Sequence, residues 1–388
     1  MSEQSPGWIT APVTERMLRG AVEVERTGGG LLPHRLPAHA RRRGADEGVL
    51  RAESQPSGVR LVLRTRATAI ELDTVRTRIA YVGAPARPDG VYDLLVDGLP
   101  AGQACTSGGN VVELDMSTGA STTEFGPAGT VSFSGLDARE KTVEIWLPHT
   151  ETTELLELRA DAPVEAAPES GLPRWVHHGS SISHGSNALQ PSRTWPALAA
   201  RRSGVELTNL GFSGSALLDP FTARAIGGLE ADVISLKLGI NLVGGDVMRM
   251  RAFVPAVHGF LDIVRQAHPE VPLLVVSPVH CPIHEDTPGP GAPDFSGGGV
   301  RFCATGDPAE VAAGKLTLAT VRTALAEVVE QRGDPLLAYL DGRELYGESD
   351  FAELPLPDAL HPDPATHERM GLRFAERAFG PGGPLAAR

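Results

Sequence analysis

Cysteine, lysine and aromatic residues are scarce in this chain of 388 residues. Its cysteines, Cys105, Cys281 and Cys303, are too few and too scattered for a disulfide framework, so a reducing compartment fits best. Long hydrophobic runs are also missing, since the longest, 271–279, is far shorter than a membrane span. Residues 1–16 lack the basic and apolar segments of a signal peptide, and we therefore expect a cytoplasmic protein.

Positive charge is in deficit as well. Lys and Arg total 35 against 48 Asp and Glu, which gives a formal net charge of -13. Such a chain offers little to a nucleic acid or an anionic membrane, so we expect neither as a partner. Hydrophobic residues at 41% and charged residues at 21% exclude a disordered chain. At roughly 150 residues per domain, the length predicts two or three domains.

Several binding signatures are absent. The sequence contains no Walker A loop, no Gly-x-Gly-x-x-Gly opening a helix, no His-Glu-x-x-His and no Gly-x-Ser-x-Gly nucleophile elbow. His280, Cys281, His284 and Cys303 lie in or beside a Gly- and Pro-rich loop and could bind zinc, but their spacing matches no usual zinc module. We therefore favour an ordinary long loop and expect neither a metal nor an organic cofactor.

The first 170 residues read as an all-β domain. Short runs of strand-forming residues, several with alternating apolar and polar positions, are separated by turn signals such as Pro88-Asp89-Gly90. This spacing is typical of a β-sandwich or jelly roll. Residues 1–50 show no assignable pattern, and the proline-rich stretch 161–173 is the best candidate for a linker.

Residues 171–388 change to alternating buried strands and helices, the pattern of a parallel sheet covered on both faces. Strands are predicted at 174–178, 205–210, 232–238, 271–279 and 336–341. Helices are predicted near 194–202, 220–229, 246–268, 308–331 and 364–379. This order indicates an α/β domain, a flavodoxin-like three-layer αβα sandwich with a parallel five-stranded sheet, in which ligands bind beyond the carboxyl ends of the strands.

Three of these strand ends are followed by residues suited to acyl chemistry. The first strand leads into Gly-Ser-Ser-Ile-Ser at 179–183, where a serine at a helix entry could act as a nucleophile or simply cap the helix. Gly214 follows the second strand and Asn241 the third, and together they could donate hydrogen bonds to an oxyanion. Taken separately, Gly214 could serve a tight turn and Asn241 could cap a loop.

A fourth block, Asp358-Ala-Leu-His361-Pro-Asp, lies just before the last predicted helix. On one helical turn, residues three apart point the same way, so Asp358 could orient the His361 imidazole while its other ring nitrogen reaches a serine. The alternative is a surface loop with an N-capping Asp.

In this order, the four blocks resemble those of the SGNH hydrolases, the GDSL-type lipase/acylhydrolase superfamily. The resemblance covers about residues 174–380 and is most specific at 179–183, 209–214 and 358–363. It implies that Ser181 is the nucleophile and that Asp358 and His361 complete a catalytic triad. It also implies that Gly214, Asn241 and the Ser181 N–H form the oxyanion hole.

The resemblance has two departures. Ser180 stands where the family usually has Asp, and Leu242 follows Asn241 where Asp is common. Neither position attacks the substrate or transfers a proton, so we expect activity to be retained. Residues 90–95 loosely resemble a signature of the jelly-roll domain that precedes some bacterial members.

The resemblance implies a serine esterase that cleaves a carboxylic ester. We expect a short acyl or acetyl group on a small polar or carbohydrate-like molecule, because no broad apolar surface helix suited to bulk lipid is apparent. The alternatives are a lipase- or lysophospholipase-type activity, an acyltransferase, or an inactive carbohydrate-binding protein. The long loop 280–302 either covers the site or is a surface insertion.

Overall fold

The computed structural model describes residues 7–83, 87–115, 118–295 and 299–386. Its contacts divide the chain into two units. Unit 1 comprises Met1–Arg35, Ser54–Gly171 and Gln190–Ser192, and unit 2 comprises Leu36–Glu53, Leu172–Leu189 and Arg193–Arg388. No helix within the described ranges is both long enough and apolar enough to cross a membrane.

Unit 1 is built from strands β1–β14, which form two sheets within the described ranges. In chain order, the strands are Ile9–Ala11, Leu18–Arg19, Glu23–Arg26, Leu31–His34, Arg60–Thr65, Ala69–Tyr81, Val91–Val96, Leu99–Cys105, Asn110–Leu114, Ser121–Glu124, Gly129–Ser134, Lys141–Trp146, Thr152–Ala160 and Val164–Ala166. The first sheet has the order β10-β9-β6-β13-β4-β3, with β1 on β13 and β11 on β6, and the second has the order β14-β5-β12-β7-β8, with β2 on β5.

Alternating side chains explain why these segments form a layered β unit. In β11, Val131 and Phe133 are buried while their neighbours face solvent, which is the period of two expected of a strand with one buried face. Both sheets contribute to one hydrophobic core, for example through Leu63 of β5 and Leu72 of β6. The predicted strand-rich N-terminal domain is confirmed. The linker prediction for 161–173 is wrong at Val164–Ala166, because β14 pairs with β5 there.

In unit 2, strands β15–β21 are Arg174–Gly179, Glu206–Gly211, Val233–Lys237, Leu273–Val276, Gly291–Asp294, Arg301–Ala304 and Leu337–Leu340. Five of these strands form a parallel sheet in the described ranges, with the order β16-β15-β17-β18-β21. Strands β19 and β20 form a separate hairpin. Helices α1–α10 are Ala38–Arg43, Glu47–Ser54, Ser181–His184, Trp195–Ser203, Pro220–Gly227, Ile240–Gly244, Met250–Ala267, Leu318–Arg332, Glu348–Glu353 and Pro364–Phe374.

The predicted αβα sandwich with a parallel sheet is confirmed, and its strand order is that of flavodoxin-like folds. The predicted helix at 308–331 is wrong in its first part. Pro308–Ala313 forms a 3₁₀ segment that ends at Gly314 with φ of 91°, and α8 begins only after Thr317 caps its first turn. Helices α1 and most of α2, in the region without an assignable pattern, belong to unit 2.

A close approach of two backbones fixes the position of α3. At the end of β16, Gly211 lies against the turn formed by Ser183 and His184, and a Cβ at this position would lie 2.5 Å from the His184 nitrogen. A side chain cannot be accommodated there without moving α3, because the neighbouring atoms are backbone.

We therefore predict that Gly211→Ala destabilises the protein by about 1–3 kcal/mol, as overpacking of a tight core does. The matched control is Gly259→Ala, at an exposed position inside α7 where the added Cβ meets nothing within 4 Å. This control should stabilise the protein by up to about 1 kcal/mol through helix propensity. Urea unfolding of both variants measures the effect, and equal stabilities would contradict the predicted contact.

Candidate active site

Ser181 is the first residue of α3 and lies two positions after the end of β15, an internal strand of the sheet. The preceding Ser180 caps the helix by accepting a hydrogen bond from the Ile182 N–H at 3.4 Å, which gives this departure from the family pattern a structural role. Ser181 is 7% exposed. Its own N–H occupies the first helical position, where no intrahelical acceptor exists.

The structure brings Ser181, His361 and Asp358 together. Nε2 of His361 lies 2.9 Å from Oγ of Ser181, and Nδ1 of His361 lies 2.8 Å from Oδ2 of Asp358. Because the carboxylate only accepts, Nδ1 carries the proton in the neutral imidazole and Nε2 is left as an acceptor for the Ser181 hydroxyl. The hydroxyl and the imidazole are 180 residues apart along the chain.

The local conformation of Asp358 and His361 differs from the helical turn expected from their spacing. They lie in a turn before α10, and Ala359 between them has φ of 67°. Oδ1 of Asp358 accepts the N–H groups of Leu360 and His361 at 3.0 and 2.7 Å, which closes the turn and leaves Oδ2 for the imidazole. One carboxylate therefore shapes the loop and orients the ring.

The hydrogen bonds keep Asp358 ionised despite its burial. Burial by itself would raise the pKa of this carboxyl, but the hydrogen bond and positive charge of His361 and the two backbone N–H groups outweigh it and lower the pKa to about 2. The amide of Asn187 adds a further hydrogen bond to Oδ2 at 3.2 Å. Sequence reasoning missed Asn187, because nothing local links it to a residue 171 positions later.

Asn241, at the start of α6, shares a cavity with Ser181. Its Oδ1 accepts the N–H of Ala216 at 3.2 Å, and since only the oxygen can accept, this contact leaves the Nδ2 hydrogens as donors. Gly214 lies in a 3₁₀ turn after β16 and lines the same cavity. A Cβ at Gly214 would meet no atom within 4 Å, so packing within the protein does not demand glycine here.

The cavity has a volume of about 270 Å³ and is mainly apolar apart from these groups. The 280–302 loop contributes part of its wall, including Ile283, His284 and Phe302, while residues 296–298 of this loop lie outside the described ranges. The loop also contributes Gly291, and other parts of unit 2 supply the rest of the lining, which comprises Ser181, Gly214, Leu217, Ile240, Asn241, Gly244, Gly245, Val247 and Leu360.

The loop forms no metal site in the part of the chain that the structure describes, where no group of three His, Cys, Asp or Glu side chains is suitably arranged. Cys281 is buried and its thiol contacts the Ala359 carbonyl, whereas Cys303 is exposed in the hairpin. His280 pairs with Glu285 at 3.3 Å, and His284 contacts the Thr287 carbonyl at 3.1 Å. The thiol of Cys303 contacts the Ala292 carbonyl, so each of the four candidate zinc ligands has a different partner.

A buried hydrogen-bond network lies beneath α3. His177 is fully buried, with Nε2 2.8 Å from Oγ of Ser183 and Nδ1 2.7 Å from Oγ of Ser235, which also accepts the Trp175 indole N–H at 2.8 Å. Burial is the main cause that lowers the pKa of His177 well below its usual value, and the charges of the nearby His178 and Lys237 lower it further. The network ties the helix that begins with Ser181 to two strands of the sheet.

A second buried histidine holds the segment that contains Asn187. His367 of α10 is fully buried, its Nδ1 accepts the Trp195 N–H at 3.3 Å, and its Nε2 donates to the Ser186 carbonyl at 2.9 Å. Burial lowers the pKa of His367 to about 4, although the contact with Ser186 opposes this effect. His367 therefore remains neutral in the native protein at neutral pH.

A parallel αβα sandwich with a Ser-His-Asp set beyond its strand ends is the arrangement of a serine hydrolase. The comparisons specify the family. The model of the GDSL-like lipase/acylhydrolase family matches residues 178–369, and the model of the SsfX3 N-terminal domain matches residues 17–155. Residues 178–369 therefore form a domain of the GDSL-like lipase/acylhydrolase family.

Solved structures resemble the chain over nearly its whole length. The salicylyl-acyltransferase SsfX3 from a tetracycline biosynthetic pathway is 29% identical, with a TM-score of 0.78, and the match covers 96% of this chain and 97% of that one. A protein from Bacteroides ovatus described as a GDSL-like lipase is 19% identical, with a TM-score of 0.67 and coverages of 95% and 96%.

An active-site mutant of a family two carbohydrate esterase from Clostridium thermocellum is 14% identical, with a TM-score of 0.55 and coverages of 96% and 97%. At these lower identities, the second and third structures support the fold alone. No curated protein matches the chain.

The buried His367 predicts a loss of stability in mild acid. Above pH of about 6.5 the histidine is neutral in both states, but between about 6.5 and 4 the unfolded chain takes up a proton that the native protein does not. The free energy of unfolding should therefore fall in this range, by up to roughly 3 kcal/mol from this group.

Urea unfolding at pH 7 and pH 4 should show that His367→Gln loses less stability than the native sequence. Substitution of the exposed His39 by Gln is the matched control. Equal pH dependence in the native and His367→Gln proteins would contradict the assignment.

Proposed function

We propose that this protein is a serine acylhydrolase that cleaves a carboxylic ester through an acyl-enzyme on Ser181. The observation that supports this most directly is the contact of His361 Nε2 with Ser181 Oγ, while Asp358 holds the opposite ring nitrogen. A nucleophile, a base and a group that orients the base are the parts that acyl transfer requires. Membership in the GDSL-like family supports the same class of reaction.

The reaction begins when Oγ of Ser181 attacks the ester carbonyl carbon while its proton passes to Nε2 of His361. The tetrahedral intermediate collapses, the bond to the alcohol oxygen breaks, and His361 returns the proton to that oxygen. Water then attacks the acyl-enzyme, giving a proton to His361 and releasing the acid when Oγ recovers it. Asp358 remains ionised throughout and stabilises the imidazolium.

The negatively charged oxygen of each tetrahedral intermediate is stabilised by hydrogen-bond donors that are already in position before the reaction. The N–H groups of Ser181 and Gly214 and the Nδ2 group of Asn241 are the candidates, because all three residues line the cavity that contains the nucleophile. The orientation of the Asn241 amide supports its role, since Ala216 already occupies Oδ1.

The size of the cavity favours a substrate with a compact acyl group. A cavity of roughly 150 Å³ holds a benzene molecule, so a volume of about 270 Å³ matches a short chain or a single ring better than a long lipid tail. An acetyl group would fill only part of it. Apolar neighbours such as Leu217, Val247 and Ile283 favour a hydrocarbon portion.

Transfer to an alcohol other than water is the second candidate. The observation that favours it is the 29% identity with a salicylyl-acyltransferase, which extends over 96% of this chain and includes the matched N-terminal domain. Both reactions share the acyl-enzyme and differ only in the acceptor that attacks it. Product analysis with added alcohols separates them, because transfer yields a new ester and hydrolysis yields only the acid.

Replacing Ser181 by Ala should abolish ester cleavage, because the attacking oxygen is removed. The expected loss in kcat for p-nitrophenyl acetate or butyrate is about 10⁴-fold or more. Ser132→Ala, at an exposed position of β11, is the matched control and should retain full activity. A phosphonate inhibitor should label the native protein at Ser181. Equal rates for the native protein and Ser181→Ala would refute the proposal.

Asn241 provides a test of oxyanion stabilisation. Asn241→Ala should lower kcat by about 10²–10³-fold with little change in KM, as expected when a donor to the transition state is lost. Asn241→Asp retains the acceptor for the Ala216 N–H but removes the amide donor, so it should lose activity while preserving that local contact. Full activity in both variants would show that Asn241 does not contact the oxyanion.

A further inference from the structure

The cavity beside Ser181 contains one histidine for which the proposed mechanism has no use. His284 is only 2% exposed and lines this cavity from the 3₁₀ turn Pro282–His284. Its Nδ1 lies 3.1 Å from the Thr287 carbonyl oxygen. Because a carbonyl only accepts, Nδ1 carries the hydrogen, and Nε2 of the neutral ring is an acceptor with a free lone pair.

Two glycines of the cavity wall make room for Nε2. A Cβ on Gly291 would lie 3.1 Å from it and a Cβ on Gly244 would lie 3.6 Å from it, and both glycines line the cavity. Among the residues that the structure describes, Nε2 has no hydrogen-bond partner. An acceptor at the wall of a mostly apolar cavity therefore faces the space that a substrate would occupy.

The chemistry of this nitrogen selects the ligand group that fits it. Burial lowers the pKa of His284, and the contact with Thr287 opposes this only in part, so the ring is neutral near pH 7. A neutral acceptor pairs best with a neutral donor, of which a hydroxyl is the simplest. Leaving a buried acceptor unpaired is unfavourable, so a site of this kind discriminates against a ligand that lacks the donor.

The acyl portion is the part of the ester that reaches this position. The leaving alcohol must contact His361, which returns the proton to it, and His361 is not among the residues that line the cavity. Ser181, Gly214 and Asn241 do line it. An ester whose carbonyl lies at these three residues therefore directs its acyl group into the cavity, towards His284.

We propose that His284 is a specificity-determining residue that accepts a hydrogen bond from a hydroxyl group on the acyl portion of the substrate, so that the preferred substrates are esters of compact hydroxylated acids. This inference rests on the proposed acyl-enzyme function. It adds a polar recognition contact to a cavity that otherwise selects by size and hydrophobicity.

The test compares p-nitrophenyl benzoate with its 2-, 3- and 4-hydroxy and matching methoxy derivatives, using the full-length protein. At least one hydroxy isomer should exceed the unsubstituted ester in kcat/KM by about 10-fold or more, and its methoxy counterpart, which cannot donate, should not. A further ester, with an unsubstituted benzoyl group and a hydroxylated leaving group, tests the assignment of the cavity to the acyl side.

The kcat/KM of the hydroxy ester relative to that of the unsubstituted ester is then measured in His284→Phe, which retains a ring of similar size but has no acceptor. Dividing this kcat/KM ratio by the same ratio for the native protein cancels the effect of the hydroxyl on the intrinsic reactivity of the ester. We expect the preference to fall by about 10-fold. Gly291→Ala, which places a methyl group 3.1 Å from Nε2, should reduce the same ratio and remains informative if His284→Phe does not fold.

The outcomes separate this inference from the function on which it rests. Turnover that depends on Ser181 but shows the same hydroxyl preference in the native protein and both variants would overturn the role of His284 alone. A preference for the ester with the hydroxylated leaving group would overturn the assignment to the acyl portion. No Ser181-dependent turnover of any ester would refute the proposed function together with the inference.

Discussion

The parallel pairing of β15 with β16 and β17 is the constraint on which the site depends. Parallel strands point their carboxyl ends at one edge of the sheet, so the segments that follow these strands emerge side by side. Ser181, Gly214 and Asn241 come from three such segments and meet at one cavity although they are distant in sequence. The close packing of Gly211 against α3 then fixes the position of this helix, which begins with Ser181, relative to the sheet.

Support around this edge is polar and buried, and it is largely supplied by histidine. His177 ties α3 to the sheet, His367 holds the segment before Asn187, and His361 completes the link to Asp358. Neutral imidazole suits the buried positions of His177 and His367 because it donates from one nitrogen and accepts at the other without the cost of burying a charge. Preorganised acyl chemistry demands such rigidity, since small displacements of reacting groups are expensive.

Patterns local to the sequence were sufficient for the sheet and for the order of the reactive residues. Buried apolar runs mark β15–β18, and the blocks that contain Ser181 and His361 are recognisable without coordinates. The turn at Asp358 was not predictable from its spacing, because a left-handed Ala359 replaces the helical conformation. Asn187 and the use of His284 were missed for a related reason: their significance arises from contacts with segments far away in the chain.

The span of 180 residues between Ser181 and His361 also has a consequence for the synthesis of the protein. During synthesis, Ser181 leaves the ribosome long before His361 exists, so a nascent chain that ends before this histidine lacks the base that the proposed mechanism requires. Under that mechanism, the chain gains the ability to cleave an ester only once both segments are present and packed together.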